Sequence, residues 1–311
     1  MHSTGALVSI GLVTRNRADM IGIAIDQLMS QTYKNLEIII SDNCSDDSTQ
    51  TICEAYAKKD PRIRYIRQEK NIGMYNNFNF VLAEATGDYF LWATDDDEWE
   101  ATFIERMMRL HTKYKSAVVA TSNYILFSDN HKETTHHTYP EISSSPKSTE
   151  IYLYHAVFIT YGVVKTAALK EIKGFFTYPW PIPDGIGDTL LAMRILLRGD
   201  IAFDPGVLWK KRDSGYTFER YTVLSNLHFS SAVLYRIRRY LLFPLLYIYN
   251  LVYMAGDIIS SRYPLSIKSV LLYQALGFFI TSNLEYVSSV LKGITALWGG
   301  LLRRFFKLDI D

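Results

Sequence analysis

The hydrophobic pattern of the first 120 residues alternates between short apolar runs and amphipathic segments. The runs that have the length of buried strands cover residues 6–13, 36–41, 63–66, 88–92 and 117–120. The segments with helical spacing cover residues 19–32, 51–59, 76–85 and 103–115. Strands and helices that alternate through short connections predict a parallel sheet with right-handed crossovers.

The chain beyond residue 120 is less regular. Residues 129–148 are polar and contain a Ser-Ser-Ser-Pro run, so we predict an exposed loop there. A turn-rich segment then precedes a helical pattern at 188–197. Two short apolar runs, 201–203 and 207–209, predict separate strands, and the basic residues 210–212 that follow predict a loop.

The composition narrows the class of protein. Of the 311 residues, 48% are hydrophobic and 21% are charged, which is enough apolar surface for a folded core. Lysine and arginine number 33 against 32 aspartates and glutamates, and this balance argues against a nucleic-acid partner. Cys44 and Cys53 match neither a disulfide framework nor a metal-binding spacing, and the first residues lack the pattern of a signal peptide. We therefore expect a protein of the cytoplasm.

Polar residues follow three of the predicted strands, at the ends where a parallel sheet binds its ligands. They lie at 14–16, 42–47 and 94–98. Carboxylates gathered at one edge repel each other unless a cation or ligand lies among them. The densest group, Thr-Asp-Asp-Asp-Glu at 94–98, follows an apolar strand and precedes Trp99. Such a group can hold a divalent cation against a diphosphate, and the alternative is a solvated acidic turn.

Six segments in a fixed order carry a family resemblance. They are VSIGLVTRNR (8–17), SQTYKNLEIIISDNCSDDST (30–49), NIGMYNNFN (71–79), ATGDYFLWATDDDEW (85–99), YGVVK (161–165) and GDTLLAMRILLRG (187–199). Together they resemble family 2 glycosyltransferases, which are inverting nucleotide-sugar enzymes with the GT-A fold. The resemblance implies an α/β domain at 1–221, with a Rossmann-like, mostly parallel sheet flanked by helices.

The resemblance implies nucleotide contacts in the first two loops. Thr14 and Asn16 match the loop after the first strand, where Arg15 replaces a more usual tyrosine. Asp42 and Asn43 match the pair of acidic residues that contacts the nucleobase. Because the Asn43 carboxamide can both donate and accept hydrogen bonds, a uracil or thymine edge can still be read, which favours a UDP or dTDP donor.

The same resemblance implies a metal site in the acidic turn. Alignment through Trp99 places Asp96 at the metal position of the family's D-x-D motif and Asp95 at the donor-sugar or ribose contact. The first acidic position of that motif is Thr94 here, so Asp97 is a possible substitute ligand. The expected cation is Mn²⁺ or Mg²⁺.

Three further residues are implied to contact the donor. Asn71 and Gly73 match a loop near the donor sugar. Residues 210–212 lie where related enzymes bring a basic loop over the diphosphate, and Arg212 is the expected contact, with a solvated group of charges as the alternative.

Asp188 is the implied catalytic base. An inverting transfer needs one carboxylate to take the proton of the acceptor hydroxyl as that oxygen attacks C1 of the sugar. Asp188 is also a good helix N-cap, which is its structural alternative. The family usually has Glu before this Asp, whereas this chain has Gly187, and Asp184 is the fallback base.

Residues 222–311 fall outside the resemblance and have a different character. They contain nine Lys or Arg against four Asp or Glu. Their apolar segments, 241–256, 271–281 and 287–306, are interrupted or too short to span a bilayer. We predict basic, aromatic helices at a membrane interface; a helical cap packed on protein and a true span are the alternatives.

The sequence therefore predicts a metal-dependent inverting glycosyltransferase, peripheral on the cytoplasmic face of a membrane. It would move a sugar from a nucleotide-diphosphate donor to a saccharide or polyprenyl-linked acceptor in the synthesis of surface polysaccharide or glycoconjugate. A non-catalytic nucleotide-sugar-binding scaffold is the first alternative. A nucleotidyltransferase is the second, although the chain lacks the glycine-rich phosphate loop expected of one.

Overall fold

A computed structural model describes residues 5–127, 141–143, 159–177, 187–212, 243–261, 263–269, 271–273 and 275–276. The chain divides into two units. The first comprises residues 1–178 and 184–220, and the second comprises residues 179–183 and 221–311.

The first four strands form the parallel half of the sheet. They are β1 (Val8–Thr14), β2 (Leu36–Asp42), β3 (Ile63–Arg67) and β4 (Tyr89–Thr94), in the order β3-β2-β1-β4. The helices that connect them are α1 (Ile21–Met29), α2 (Thr49–Lys59) and α3 (Met74–Ala83). This half confirms the alternating pattern predicted from the sequence.

The rest of the sheet is mixed rather than parallel. It contains β5 (Glu98–Trp99), β6 (Ala117–Phe127), β7 (Ile142–Ser143), β8 (Val163–Lys165) and β9 (Asp200–Arg212). The order continues β4-β8-β6-β9-β5, and β7 pairs with β9. Since β8 runs antiparallel to both β4 and β6, it reverses the strand direction at the centre of the sheet. Helices α4 (Phe103–Lys113), α5 (Thr166–Ile172) and α6 (Gly187–Leu196) complete the described part of this unit.

One long strand replaces the two short strands and the basic loop predicted at 201–212. Strand β9 pairs with β6 along most of its length, from Ala117 opposite Asp200 to Phe127 opposite Arg212. Register shifts near Asn123 let the pairing continue past the Pro205-Gly206 break that made the sequence look discontinuous. Within the predicted loop at 129–148, residues 142–143 form β7; positions 129–140 and 144–148 lie outside the described residues.

The core lies between the sheet and its helices. Trp92 and Trp209 are the largest fully buried side chains, and the Trp92 indole donates a hydrogen bond to the Phe78 carbonyl oxygen at 3.0 Å. Gly11 allows close packing, because a Cβ there would lie 2.6 Å from both Phe90 and Val81. The sheet and α3 therefore pack at a distance that a larger residue would prevent.

The second unit contains the helix α7 (Phe243–Ser260). Met254 and Ile258 are buried one helical turn apart, whereas Val252 and Ile259 are 63% and 62% exposed. In the part of the chain that the structure describes, no helix is both long and apolar enough to cross a membrane. Nearly all of the predicted segments 271–281 and 287–306 lies outside that part.

Candidate active site

The carboxyl ends of three parallel strands meet at one edge of the sheet, as the sequence predicts. Thr14 at the end of β1 lies opposite Asp42 of β2, and the preceding Val13 lies opposite Thr94 of β4. The Asn43 amide donates a hydrogen bond to the Thr14 carbonyl oxygen at 2.9 Å. The predicted nucleotide loops and the acidic turn therefore begin side by side.

The loop after β1 is joined to the loop after β2 by hydrogen bonds of Asn16. Its amide donates to the Ser45 hydroxyl at 2.9 Å, and its Oδ1 accepts from the Asp46 amide at 3.0 Å. Asn16 has a φ of 53°, a left-handed conformation that asparagine tolerates better than most residues. The neighbouring Arg15 is exposed, so its side chain is accessible to a ligand.

Asp42 is fully buried, and both of its carboxylate oxygens accept hydrogen bonds within the protein. Oδ1 accepts from the Ser45 amide at 2.8 Å and the Ser45 hydroxyl at 2.5 Å, while Oδ2 accepts from the Tyr65 hydroxyl at 2.9 Å. Burial and the bond to Asp42 raise the pKa of Tyr65, which keeps that phenol a donor. Asp42 thus shapes the loop, and its contact with a nucleobase stays a prediction.

Asn43 connects the β2 loop to the segment before α3. Its Nδ2 donates to Oδ1 of Asn71 at 2.8 Å, and its Oδ1 accepts from the Ile72 amide at 2.8 Å. The same Asn71 oxygen accepts from the Gly73 amide at 2.9 Å. Gly73 has a φ of 85°, which explains why glycine suits this position. The structure therefore brings three of the predicted donor-binding residues into one network.

Asp95 faces the first loop. Its Oδ1 lies 3.3 Å from Nε of Arg17, and only a tenth of its side chain is exposed. Burial and the nearby Asp96 carboxylate raise the pKa of Asp95, the Thr14 hydroxyl and Arg17 lower it, and the net result is a pKa of about 7. Arg17 was not predicted from the sequence, although it stands beside the predicted contacts of the first loop.

Asp97 is bound by the protein itself. The Lys211 ammonium lies 3.2 and 3.1 Å from its two carboxylate oxygens, and the Arg212 amide donates to Oδ1 at 3.2 Å. The Asp97 side chain has no exposed surface. These contacts disfavour the substitute metal ligand that the sequence suggests at this position.

The three basic residues that end β9 face different surroundings. Lys210 pairs with Glu98 at 3.2 Å, with both side chains partly exposed. Lys211 reaches Asp97, and the Arg212 guanidinium lies over the Phe127 ring at 4.6 Å. Lys211 therefore brings its side-chain charge to the acidic turn, and the predicted contact of Arg212 with the diphosphate stays a prediction.

Asp188 lies in the first turn of α6, and the charge of Lys211 acts on its carboxylate. Burial raises the pKa of Asp188, and the Lys211 ammonium opposes that rise. Burial also raises the pKa of Tyr161; Lys211 opposes this, and the carboxylates of Asp188, Asp97 and Asp96 add to it. The predicted base and the acidic turn therefore lie around the same lysine, while the fallback residue Asp184 lies outside the described residues.

Asp96 is the carboxylate of this turn best suited to a cation. It is half-buried, and no hydrogen bond or ion pair among the described residues engages its carboxylate. Those residues include no group of three or more His, Cys, Asp or Glu side chains that could enclose a metal. Asp96 as a ligand of a hard cation stays a prediction.

The chain is similar to a known family and to proteins of that family. The sequence model of the family described as "Glycosyl transferase family 2" matches residues 9–197. An uncharacterized glycosyltransferase of Rickettsia typhi is 32% identical over 149 residues, which are 48% of this chain and 45% of that protein. The chain spans less than half the length of the curated relatives it matches.

Two solved structures share the fold. Staphylococcus aureus TarS 1–349, in complex with UDP-GlcNAc, has a TM-score of 0.66 and 18% identity, covering 88% of this chain and 73% of that one. The mannosyltransferase PcManGT of Pyrobaculum calidifontis, in complex with GDP-Man and Mn²⁺, has a TM-score of 0.53 and 16% identity, covering 96% and 81%. Because the family model spans more than half of the sequence, this chain belongs to glycosyl transferase family 2.

Proposed function

We propose that this chain transfers a sugar, with inversion, from a nucleotide-diphosphate donor to an acceptor hydroxyl. The observation that carries the proposal is the contact of Lys211 with Asp97 of the acidic turn, at 3.2 and 3.1 Å, together with the electrostatic influence of the same lysine on Asp188. A carboxylate for proton transfer and a site for a diphosphate are the two parts that such a reaction requires.

Asp188 acts as the general base in this proposal. Its carboxylate takes the acceptor proton as the acceptor oxygen forms a bond to C1 of the sugar. The bond from C1 to the diphosphate oxygen breaks on the opposite side, and the diphosphate leaves with the electron pair. The raised pKa of Asp188 suits this role, because a stronger base takes a hydroxyl proton more readily.

Asp96 is the proposed protein ligand of Mn²⁺ or Mg²⁺. Such a cation supplies positive charge that neutralises the departing diphosphate. The support is the half-buried carboxylate of Asp96 and the presence of Mn²⁺ with GDP-Man in the mannosyltransferase of the same fold. Asp95, which Arg17 orients, is proposed to contact the ribose or the donor sugar.

A uridine or thymidine diphosphate sugar is the proposed donor. The UDP-GlcNAc complex of TarS shows that a protein with this fold accepts such a donor. In this chain, Arg15 is exposed beside the loop that Asn16 and Asn43 stabilise, and these residues are proposed to contact the nucleotide together with Thr14.

The proposed acceptor is a saccharide or a polyprenyl-linked saccharide at the cytoplasmic surface of a membrane. The support lies in the second unit, where Val252 and Ile259 of α7 and Leu265 beyond it expose between 62% and 84% of their surface. The basic excess in residues 222–311 suits an anionic lipid surface. We expect the protein to float with anionic vesicles, and a Val252→Ser/Ile259→Ser variant to float less; equal flotation of the two would contradict the membrane contact.

Hydrolysis of a panel of nucleotide sugars, with and without Mn²⁺ or Mg²⁺, tests the proposed function. We expect one donor to be turned over in a metal-dependent way. We expect Asp188→Asn to bind that donor but to turn it over at least about 100-fold more slowly. Donor binding with no turnover by the wild type would favour the scaffold. Release of pyrophosphate from a nucleoside triphosphate and a sugar phosphate would favour the nucleotidyltransferase.

A further inference from the structure

The ion pair between Asp97 and Lys211 is unusual because it is buried. Asp97 is 3% exposed, and the Lys211 side chain keeps only 19% of its surface accessible. Burial by itself lowers the pKa of Lys211, but the carboxylates of Asp97 and Asp96 and the nearby Tyr161 more than reverse this, so the pKa is raised and the ammonium stays charged. Buried pairs often contribute little net stability compared with apolar residues, so this one calls for another explanation.

The pair links two segments that are distant in sequence. Asp97 follows Asp96 in the turn after β4, and Lys211 lies near the end of β9. The residues next to them form the short antiparallel pairing of β5 with β9, in which Trp99 lies opposite Trp209. The two indole rings stack with centroids 5.3 Å apart and planes 10° apart. One end of this connection is therefore held by aromatic packing and the other by the ion pair.

Lys211 also lies on the side of the predicted base. Its ammonium is 4.6 Å from the centroid of the Tyr161 ring, and it opposes the rise in the pKa of Asp188. Through Asp97 the same lysine is attached to the turn that carries Asp96. Lys211 thus touches the acidic turn and also acts electrostatically on Asp188 in the first turn of α6.

We propose that Asp97 and Lys211 form a positioning pair, which sets the placement of Asp96 relative to Asp188 and contacts neither the donor nor the cation. The inference rests on the proposed function of those two residues. Adjacent carboxylates in one turn repel each other, and the ammonium holds one of them inward, so that Asp96 keeps a defined place at the rim. Displacement of a reacting group by about 1 Å can cost about 100-fold in rate, so the pair acts on turnover.

Steady-state kinetics of Lys211→Met and Lys211→Arg test the pair, with Lys113→Met as the matched control. Lys113, the last residue of α4, forms an exposed ion pair with Glu141, so its loss leaves the rates unchanged. Lys211→Met lowers kcat about 100-fold while the donor KM changes less than about threefold. Lys211→Arg recovers at least about a tenth of the wild-type kcat, since a guanidinium can also donate two bonds to the Asp97 carboxylate.

A double-mutant cycle gives a readout that does not depend on activity. Asp97→Asn and Lys211→Met each lower the melting temperature by about 10 °C, because each leaves one buried charge alone. The double variant, in which both charges are gone, recovers at least half of that loss. If a single variant does not fold, the kinetics of the double variant serve instead, with the same loss of kcat at an unchanged KM.

Any one of the following results overturns the pair. A donor KM raised tenfold or more with kcat retained in Lys211→Met assigns the lysine to the diphosphate. A weakened Mn²⁺ affinity of the UDP complex that appears in Asp97→Asn but not in Lys211→Met, measured by electron paramagnetic resonance, assigns Asp97 to the cation. If the falls in melting temperature of the two single variants simply add in the double variant, the two residues do not act as a pair. Wild-type inactivity toward every donor overturns the proposed function and the pair with it, whereas wild-type activity with an unchanged Lys211→Met kcat overturns the pair alone.

Discussion

The two sides of the candidate site are held together by different forces. The nucleotide side, residues 14–18, 42–49 and 71–73, is joined mainly by hydrogen bonds of backbone amides and uncharged side chains, such as those of Asn43. The transfer side, residues 94–99, 187–188 and 209–212, is held by the buried Asp97–Lys211 pair and stacked indole rings. Asp42 is the buried exception on the nucleotide side, since its carboxylate anchors that loop, whereas the Asp47 carboxylate, which accepts from the Ala18 and Thr49 amides, is exposed.

This difference predicts two kinds of response to substitution. A hydrogen bond between uncharged groups contributes about 1 kcal/mol and acts only on its partners. A buried charge acts over a longer distance and changes the ionisation of its neighbours. Changes on the nucleotide side should therefore alter donor affinity in small steps, whereas changes on the transfer side should lower turnover steeply and make it depend on pH.

The largest expected effect is that of Asp96→Asn on the transfer side. A neutral amide is a weaker ligand for a hard cation, so we expect kcat/KM at a fixed Mn²⁺ concentration to fall about 100-fold or more. The concentration of Mn²⁺ that gives half-maximal activity should rise. Titration of activity with Mn²⁺ measures both, and an unchanged Mn²⁺ requirement would remove Asp96 from the metal site.

The second effect tests the exception on the nucleotide side. Asp42→Ala leaves the Ser45 amide and hydroxyl and the Tyr65 hydroxyl without their acceptor, and these groups are largely buried. We expect the free energy of unfolding to fall by about 3 kcal/mol. Chemical denaturation measures it, with Asp46→Ala as the control, because that exposed neighbour should change stability by less than about 0.5 kcal/mol. Equal losses in both variants would show that Asp42 does not anchor the loop.

The two sides also differ in how much of their structure the sequence reveals. Strands β1 to β4 are local apolar runs separated by amphipathic helices, so periodicity alone predicts them. Strand β9 was predicted as two pieces because Pro205 and Gly206 interrupt it, and only its pairing with β6 shows that it is continuous. A three-residue antiparallel strand such as β8 has no periodicity that could indicate its direction.

The site follows the same division. The nucleotide loops follow predicted strands, so their common edge could be predicted without knowledge of the fold. The contact of Asp97 with Lys211 joins residues 114 positions apart. Which of the adjacent residues Lys210, Lys211 and Arg212 points inward depends on the alternation along β9, which bulged pairing with β6 sets. The motif indicated the acidic turn and Asp188, but the side chain that lies between them became evident only in three dimensions.

The third prediction uses pH to separate the two sides. Burial raises the pKa of Asp188, and a protonated carboxyl group cannot accept the proton of the acceptor. We therefore expect kcat/KM to fall tenfold for each pH unit below that pKa. This fall should begin at a pH above the ordinary aspartate pKa of about 4. A pH–rate profile of the wild type measures the loss of kcat/KM at low pH. Equilibrium dialysis of UDP at each pH shows whether UDP affinity falls over the same range. A fall that begins only in the ordinary aspartate range would count against Asp188 as the buried base.

The smallest expected effect is that of Asn43→Ala on the nucleotide side. The substitution removes the bonds to Asn71 and the Ile72 amide, and both partners are near enough to solvent for water to replace part of what is lost. We expect the Kd of UDP to rise about fivefold, which corresponds to about 1 kcal/mol, with kcat at saturating donor unchanged. Isothermal titration calorimetry measures the Kd, and Asn35→Ala, which loses one bond to the Gly5 carbonyl oxygen outside the site, is the control. A large fall in kcat would show that the nucleotide loops also position the reacting groups, because neutral hydrogen bonds on one side would then govern turnover on the other.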